Sequence, residues 1–134
     1  MARYLSQAWF DEVNEAARNS PSLRHATVGA HLTLQQVVTG GPEGDLQYWL
    51  RIEDGSVRAA LGAAQAADLT PDATVTQPYE TAAAVSRGEL STEDAFLDGR
   101  IRLRGDISVL VRHQSMLSGL GAVFGEVRDR TDYP

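Results

Sequence analysis

The feature that most constrains this chain is the alternation of apolar and polar residues along its middle part. Successive side chains of a β-strand point to opposite faces, so a period of two collects the apolar residues on one face. The pattern predicts strands at residues 30–38, 46–53, 57–61, 73–76 and 100–104. The other face then carries mainly Thr, Gln, Arg and Glu. Such one-sided sheets are antiparallel-rich and pack their helices on the apolar face.

Apolar residues at helical spacing predict four helices around these strands. The first covers residues 4–18, the second runs from 78 to 85, and a capping pattern begins the third at 91–97. A fourth helix begins near Asp106, whereas the charged tail past residue 125 is expected to be loose. The whole pattern predicts a two-layer α+β domain, and any cavity should lie between the layers.

The length of 134 residues corresponds to about one domain, and neither an internal repeat nor a linker divides it. There is no cysteine, and all 12 basic residues are arginine. Thiolate metal sites, cysteine nucleophiles and lysine Schiff bases are therefore excluded. The net charge of −6 argues against nucleic acid or an anionic membrane as the main partner.

The chain lacks the apolar segments that address a protein to membranes. No stretch approaches the roughly 20 apolar residues that span a bilayer, so we expect no stable membrane insertion. Residues 1–10 do not have the charged and apolar regions of a signal peptide, and residues 131–134 are not a peroxisomal address. The expected location is the cytoplasm.

Residues 79–117 carry a series of glycine-bounded elements in a distinctive order. A helix is followed by a Gly-x-Leu step, a short helix with Ala-Phe, an alternating strand and a Gly-Asp step into another helix. The residues that supply this pattern are Gly88, Leu90, Ala95, Phe96, Gly99, Ile101, Leu103, Gly105 and Asp106. This order resembles the sterol-carrier-protein-2 family in a stand-alone, bacterial-type form, and with the earlier strands the resemblance extends over residues 27–117.

The resemblance implies a two-layer fold with a sheet of about five strands and an apolar tunnel between sheet and helices. It implies binding of a fatty acid, acyl-CoA, sterol or polyketide-like molecule without a cofactor, and it leaves transfer of that molecule open. The residues expected at the ligand are Leu32, Leu34, Tyr48, Leu50, Phe96, Ile101, Leu103, Ile107, Leu110, Val111 and Gln114. Gln114 is the residue expected to contact a polar head group of the ligand. For the apolar residues, membership of a plain core is an equally good interpretation, and Gln114 could be an ordinary solvated helix position.

No constellation of residues predicts catalysis or a metal site. The three histidines lack metal-ligand spacing, and no Gly-x-Ser-x-Gly motif is present. A cofactor-independent enzyme, such as a cyclase or isomerase, remains the alternative function. It would require Tyr48, His113 or Gln114 to face the ligand with a shifted pKa.

A second alternative concerns the polar face of the sheet. Arg100, Arg102 and Arg104 alternate along one predicted strand, and Trp49 is expected to emerge on the same face. The four residues could form a surface for a homodimer, a protein partner or a phosphorylated head group. They could equally be a solvated face balanced by acidic residues.

Overall fold

The computed structural model describes residues 2–113 and 125–133. In chain order its elements are β1 (Ala2–Arg3), α1 (Gln7–Arg18), α2 (Pro21–Ala26), β2 (His31–Gly41), β3 (Gly44–Glu53), β4 (Ser56–Leu61), β5 (Ala73–Pro78), α3 (Tyr79–Ser86), α4 (Thr92–Leu97), β6 (Arg102–Gly105), α5 (Ile107–Arg112) and β7 (Thr131–Asp132). A 3-10 turn at Ala64–Ala67 connects β4 to β5, and residues 125–128 are helical.

Five strands form one mixed sheet in the order β4-β3-β2-β5-β6. Only β2 and β5 run parallel to each other; the other neighbouring pairs of this sheet are antiparallel. The register places Leu34 opposite Leu50, and Leu50 opposite Ala59, so the apolar positions share one face. The prediction of a five-stranded, antiparallel-rich sheet in an α+β fold is confirmed.

Helices α1 and α3 pack on the apolar face of the sheet. Phe10 of α1 is fully buried in the same cluster as Leu32 and Ile52. Asn14 of α1 reaches the edge strand β4, where its side chain donates to the carbonyl of Ala59 and accepts from its N–H, both at 2.8 Å. Helix α1 thus satisfies backbone groups that an edge strand would otherwise leave open.

The first helix begins three residues later than the pattern predicts. Leu5 has a φ of 63°, which is not helical. Ser6 then caps the helix, because its hydroxyl accepts from the N–H of Trp9 at 3.2 Å. Apolar periodicity could not reveal this boundary, since the buried residues Tyr4 and Leu5 lie on the same apolar pattern.

The prediction of a loose tail past residue 125 is wrong for residues 126–133. Val127 is 1% exposed, and the hydroxyl of Thr131 donates to its carbonyl at 2.6 Å. Strand β7 pairs in parallel with β1, and the ring of Tyr133 lies 4.9 Å from that of Tyr4 between centroids. The buried Val127, these hydrogen bonds and the ring contact hold in place a segment whose composition is otherwise charged.

The polar face of the sheet is partly covered. The 3-10 turn lies over β2, and its first residue, Ala64, is fully buried. The prediction that Trp49 emerges on this face as an exposed residue is wrong, because Trp49 is only 7% exposed. The guanidinium of Arg58 lies 5.7 Å from the centroid of its ring. The burial of Trp49 could not be read from the alternation of its own strand.

Candidate functional site

A cavity of about 450 Å³ lies between the sheet and the helices. Its floor consists of apolar-face residues on β2, β3, β5 and β6, and residues of α3, α4 and α5 form its walls. A volume of this size falls within the range of small-molecule binding sites. The location is the one that the two-layer pattern predicts.

Nine of the eleven expected site residues line this cavity. They are Leu34, Tyr48, Leu50, Phe96, Ile101, Leu103, Ile107, Leu110 and Val111. Leu32 instead lies in the packed core, where it is 2% exposed, and Gln114 lies outside the described residues. Contact of these side chains with a ligand stays a prediction.

Helices α4 and α5 form an apolar rim at the opening of the cavity. Phe96, Ile107 and Val111 line the cavity although 48%, 39% and 67% of their surfaces are exposed. Each helix has only six residues and depends on a side-chain cap. Ser91 accepts from the N–H of Asp94 at 3.1 Å, as the capping pattern predicts, and Asp106 accepts from the N–H of Ser108 at 3.1 Å.

Two glutamines on the apolar face of the sheet also line the cavity, and the sequence reasoning missed both. Gln36 lies on β2 opposite Tyr48, and Gln77 lies on β5 opposite Val38. Their position in the alternation could have revealed them, because each glutamine occupies an apolar-face position of its strand. A polar residue at such a position indicates a core that is not filled entirely by apolar side chains.

Two tyrosine hydroxyls add neutral polar groups to the cavity wall. Burial raises the pKa of Tyr48 to about 12 and raises the pKa of Tyr4 well above its ordinary value. The Tyr4 hydroxyl donates to the carbonyl of Ala82 on α3 at 3.1 Å. Both hydroxyls are therefore protonated at neutral pH and can act as hydrogen-bond donors or acceptors.

The other residues considered for chemistry lie elsewhere. His113 follows α5 and is not among the described residues that line the cavity. Within residues 2–113 and 125–133, no three His, Asp or Glu side chains are grouped to hold a metal ion. In the same part of the chain, no helix combines the length and apolar character needed to cross a bilayer.

The proposed arginine surface is smaller than predicted. Arg102 and Arg104 lie on β6 opposite Thr76 and Thr74, and both are exposed. Arg100 is exposed but precedes the strand, so the prediction of a strand over residues 100–104 is wrong at its start. Since Trp49 is buried, this surface lacks the exposed aromatic residue that would have supported a docking role.

Comparison with known proteins identifies a matching family and solved structures with a similar fold. The model of the SCP-2 sterol transfer family matches residues 10–118. A conserved hypothetical protein from Thermus thermophilus, with a suggested sterol-carrier role, has a TM-score of 0.77 at 20% identity; the match covers 95% of this chain and 91% of that protein. A crystal structure of sterol carrier protein 2 has a TM-score of 0.75 at 20% identity, with 92% and 98% covered.

A more distant solved structure is the palmitated sterol carrier protein 2-like protein of Aedes aegypti. Its TM-score is 0.55 at 20% identity, and the match covers 82% of this chain and 92% of that protein. At such identities the structural likeness shows a shared fold. Among curated proteins, none matches this sequence.

Proposed function

Because the chain belongs to the SCP-2 sterol transfer family, we propose that it binds an apolar, lipid-like small molecule in the cavity between its layers. Candidate ligands are fatty acids, acyl-CoAs, sterols and polyketide-like molecules. The observation that carries this proposal is the cavity of about 450 Å³ above the apolar face of the sheet. The Aedes aegypti relative, which was studied in palmitated form, supports an acyl chain as one candidate.

Apolar burial supplies the driving force for this binding. Each methylene group that leaves water stabilises a complex by about 0.8 kcal/mol, which is roughly a fourfold gain in affinity. The apolar floor and rim offer such burial along the cavity, and the few polar groups orient the ligand. Leu34, Leu50 and Leu103 are the proposed floor contacts, and Phe96 and Val111 are the proposed contacts at the opening.

Tyr48, the described candidate catalytic residue at the cavity, favours binding without catalysis. A general base must lose its proton near the operating pH. Tyr48 lines the cavity, but burial raises its pKa to about 12, so it holds its proton under neutral conditions. We therefore propose a carrier or sequestering role, and a transfer role follows if the bound molecule exchanges with membranes.

A series of fatty-acid methyl esters of increasing chain length tests the proposal on delipidated protein. Calorimetry or displacement of a fluorescent probe should show affinity rising about fourfold per methylene until the cavity is full. The variant Val111→Glu should weaken binding at least about fivefold, since it puts a carboxylate against the apolar ligand. Val28→Glu is the matched control, because both valines are 67% exposed and Val28 does not line the cavity.

Two results would contradict the proposal. One is failure of the whole series, and of sterol and acyl-CoA probes, to bind the delipidated protein. The other is binding that responds equally to Val111→Glu and Val28→Glu, which would place the ligand away from the cavity. Native mass spectrometry of freshly purified protein would add the identity of any molecule that remains bound.

A further inference from the structure

The cavity floor contains two side-chain amides in an otherwise apolar surface. Gln36 and Gln77 lie on the neighbouring parallel strands β2 and β5, two register positions apart along the same face. With about 4.8 Å between strands and 3.3 Å per residue, their backbones are about 8 Å apart. Two amides at that spacing can contact one polar group or two neighbouring ones in a single ligand.

Both amides have unused hydrogen-bonding capacity. The Oε1 atoms of Gln36 and Gln77 are buried, and neither has a hydrogen-bond partner among the described residues. The neighbouring Gln35, which points to the other face, is fully hydrogen-bonded within the protein by contrast. Its amide N–H donates to the carbonyl of Tyr48 at 3.1 Å, and its Oε1 accepts from the N–H of Ala64 at 2.6 Å. Buried polar groups are normally satisfied, and these two amide oxygens, which no described protein group bonds, are free to accept a hydrogen bond from a ligand in the cavity.

The walls of the cavity favour an uncharged partner. No lining residue that the structure describes is basic. The described acidic residue at the cavity is Glu93, which disfavours a second negative charge. An ionised carboxylate placed on the floor would therefore lose its hydration without gaining a cation. Amides, by contrast, bind a hydroxyl group well, because each offers both a donor and an acceptor.

We propose that Gln36 and Gln77 form a polar subsite that selects an uncharged ligand with a hydrogen-bonding group, such as a hydroxyl, within its apolar body. The subsite rests on the proposed lipid-binding function and narrows its ligand class. The ligand's hydroxyl donates to the Oε1 of one glutamine and accepts from an amide N–H. The apolar parts on either side of it occupy the surfaces around Leu50 and Leu103.

A matched pair of ligands tests the subsite directly. Methyl stearate and a methyl hydroxystearate with its hydroxyl at mid-chain differ in one group, and their ester ends cancel in the comparison. Delipidated wild-type protein should bind the hydroxylated ester about 3- to 10-fold more tightly, as expected for one satisfied hydrogen bond. Ionised stearate should bind more weakly than its methyl ester.

Two variants test whether the glutamines cause the preference for the hydroxylated ester over methyl stearate. Gln36→Leu and Gln77→Leu should each reduce it while methyl stearate binds at least as well as before. Gln47→Leu is the matched control, because Gln47 is exposed and points to the opposite face of the sheet. That control should leave both affinities unchanged.

The outcomes separate this subsite from the function on which it rests. If neither ester binds, the lipid-binding proposal fails and the subsite with it. If both esters bind equally to wild type, or if the ionised acid binds more tightly than its ester, only the subsite is refuted. A preference that survives both glutamine substitutions also refutes it. The wild-type comparison can refute the subsite even if a variant does not fold.

Discussion

Gln35 and Gln36 are adjacent and identical in type but lie in opposite environments, so the same substitution should affect the stability of the protein differently at the two positions. Gln35 is 7% exposed, and its amide joins β2 to β3 and to the turn at Ala64. Gln36 points into the cavity, and its buried Oε1 has no partner among the described residues. We predict that Gln35→Leu destabilises the delipidated protein and that Gln36→Leu does not.

The magnitudes follow from the hydrogen bonds. Gln35→Leu leaves the buried N–H of Ala64 without its acceptor, which costs about 1–3 kcal/mol, and removes a second bond worth about 1 kcal/mol. The expected loss in the free energy of unfolding is therefore about 2–4 kcal/mol. Gln36→Leu removes an acceptor that has no partner, so it should be neutral or stabilise the protein by about 1 kcal/mol.

Thermal and urea unfolding of both variants, followed by circular dichroism, provides the measurement. For a domain of this size the Gln35→Leu loss corresponds to roughly a 10 °C fall in Tm, whereas the Tm of Gln36→Leu should stay level or rise a few degrees. The protein must be free of ligand, because a bound molecule would occupy the amide of Gln36. Equal destabilisation by the two substitutions would refute the reasoning, since it would show that the cavity amide is already satisfied.

Three further predictions concern the opening of the cavity, its tyrosine and a glycine. Phe96→Ala should weaken ester binding by about 10-fold, because Phe96 lines the opening of the cavity. It should cost less stability than Phe10→Ala, for which chemical denaturation should show a loss of about 3–5 kcal/mol, because Phe96 is 48% exposed and Phe10 is fully buried. Equal stability losses for the two variants would contradict this. Burial raises the pKa of Tyr48 from 10.0 to about 12, so its contribution to stability is complete below pH 10 and is lost as the pH rises towards 12. Urea unfolding across this range should show that the free energy of unfolding falls less steeply with pH for Tyr48→Phe than for wild type. The same slope in both proteins would be the contrary result. Gly105→Ala should cost about 2–5 kcal/mol in urea unfolding, because its φ is 97° and a Cβ would meet the carbonyl oxygen of Asp72 at 2.6 Å. Gly99→Ala, with a φ of 76° and nothing within 4 Å, should cost only about 1–2 kcal/mol, and a similar cost for both would argue against the close contact.

The predictable parts of the fold are those that depend on interactions between residues close together in the chain. Alternation placed Leu34 and Leu50 on one face, and the register pairs them directly. Cap chemistry placed the start of α4 at Ser91, and the Gly-Asp step placed the start of α5 near Asp106; the capping hydrogen bonds are found at both positions. The start of α1 was missed, because the left-handed backbone at Leu5 leaves no mark on an apolar pattern.

The candidate site was predictable only in outline. Leu32 and Leu34 are the same residue type on the same face of β2, but only Leu34 lines the cavity. The difference depends on whether the helix layer fills the space above each position, and that layer comes from distant parts of the chain. Gln36 and Gln77 are 41 residues apart and become one subsite only when β2 and β5 pair in parallel.

Local sequence is enough to specify a one-sided sheet with helices on its apolar face, because side-chain periodicity and caps act over a few residues. Tertiary packing is needed to settle which apolar residues fill the core, which surround a cavity, and whether Trp49 is exposed. These outcomes depend on segments that pack against one another from far apart in the chain, such as the 3-10 turn that lies over β2 on the polar face. The space left where the two layers do not fill each other is the candidate site, and no single segment encodes it.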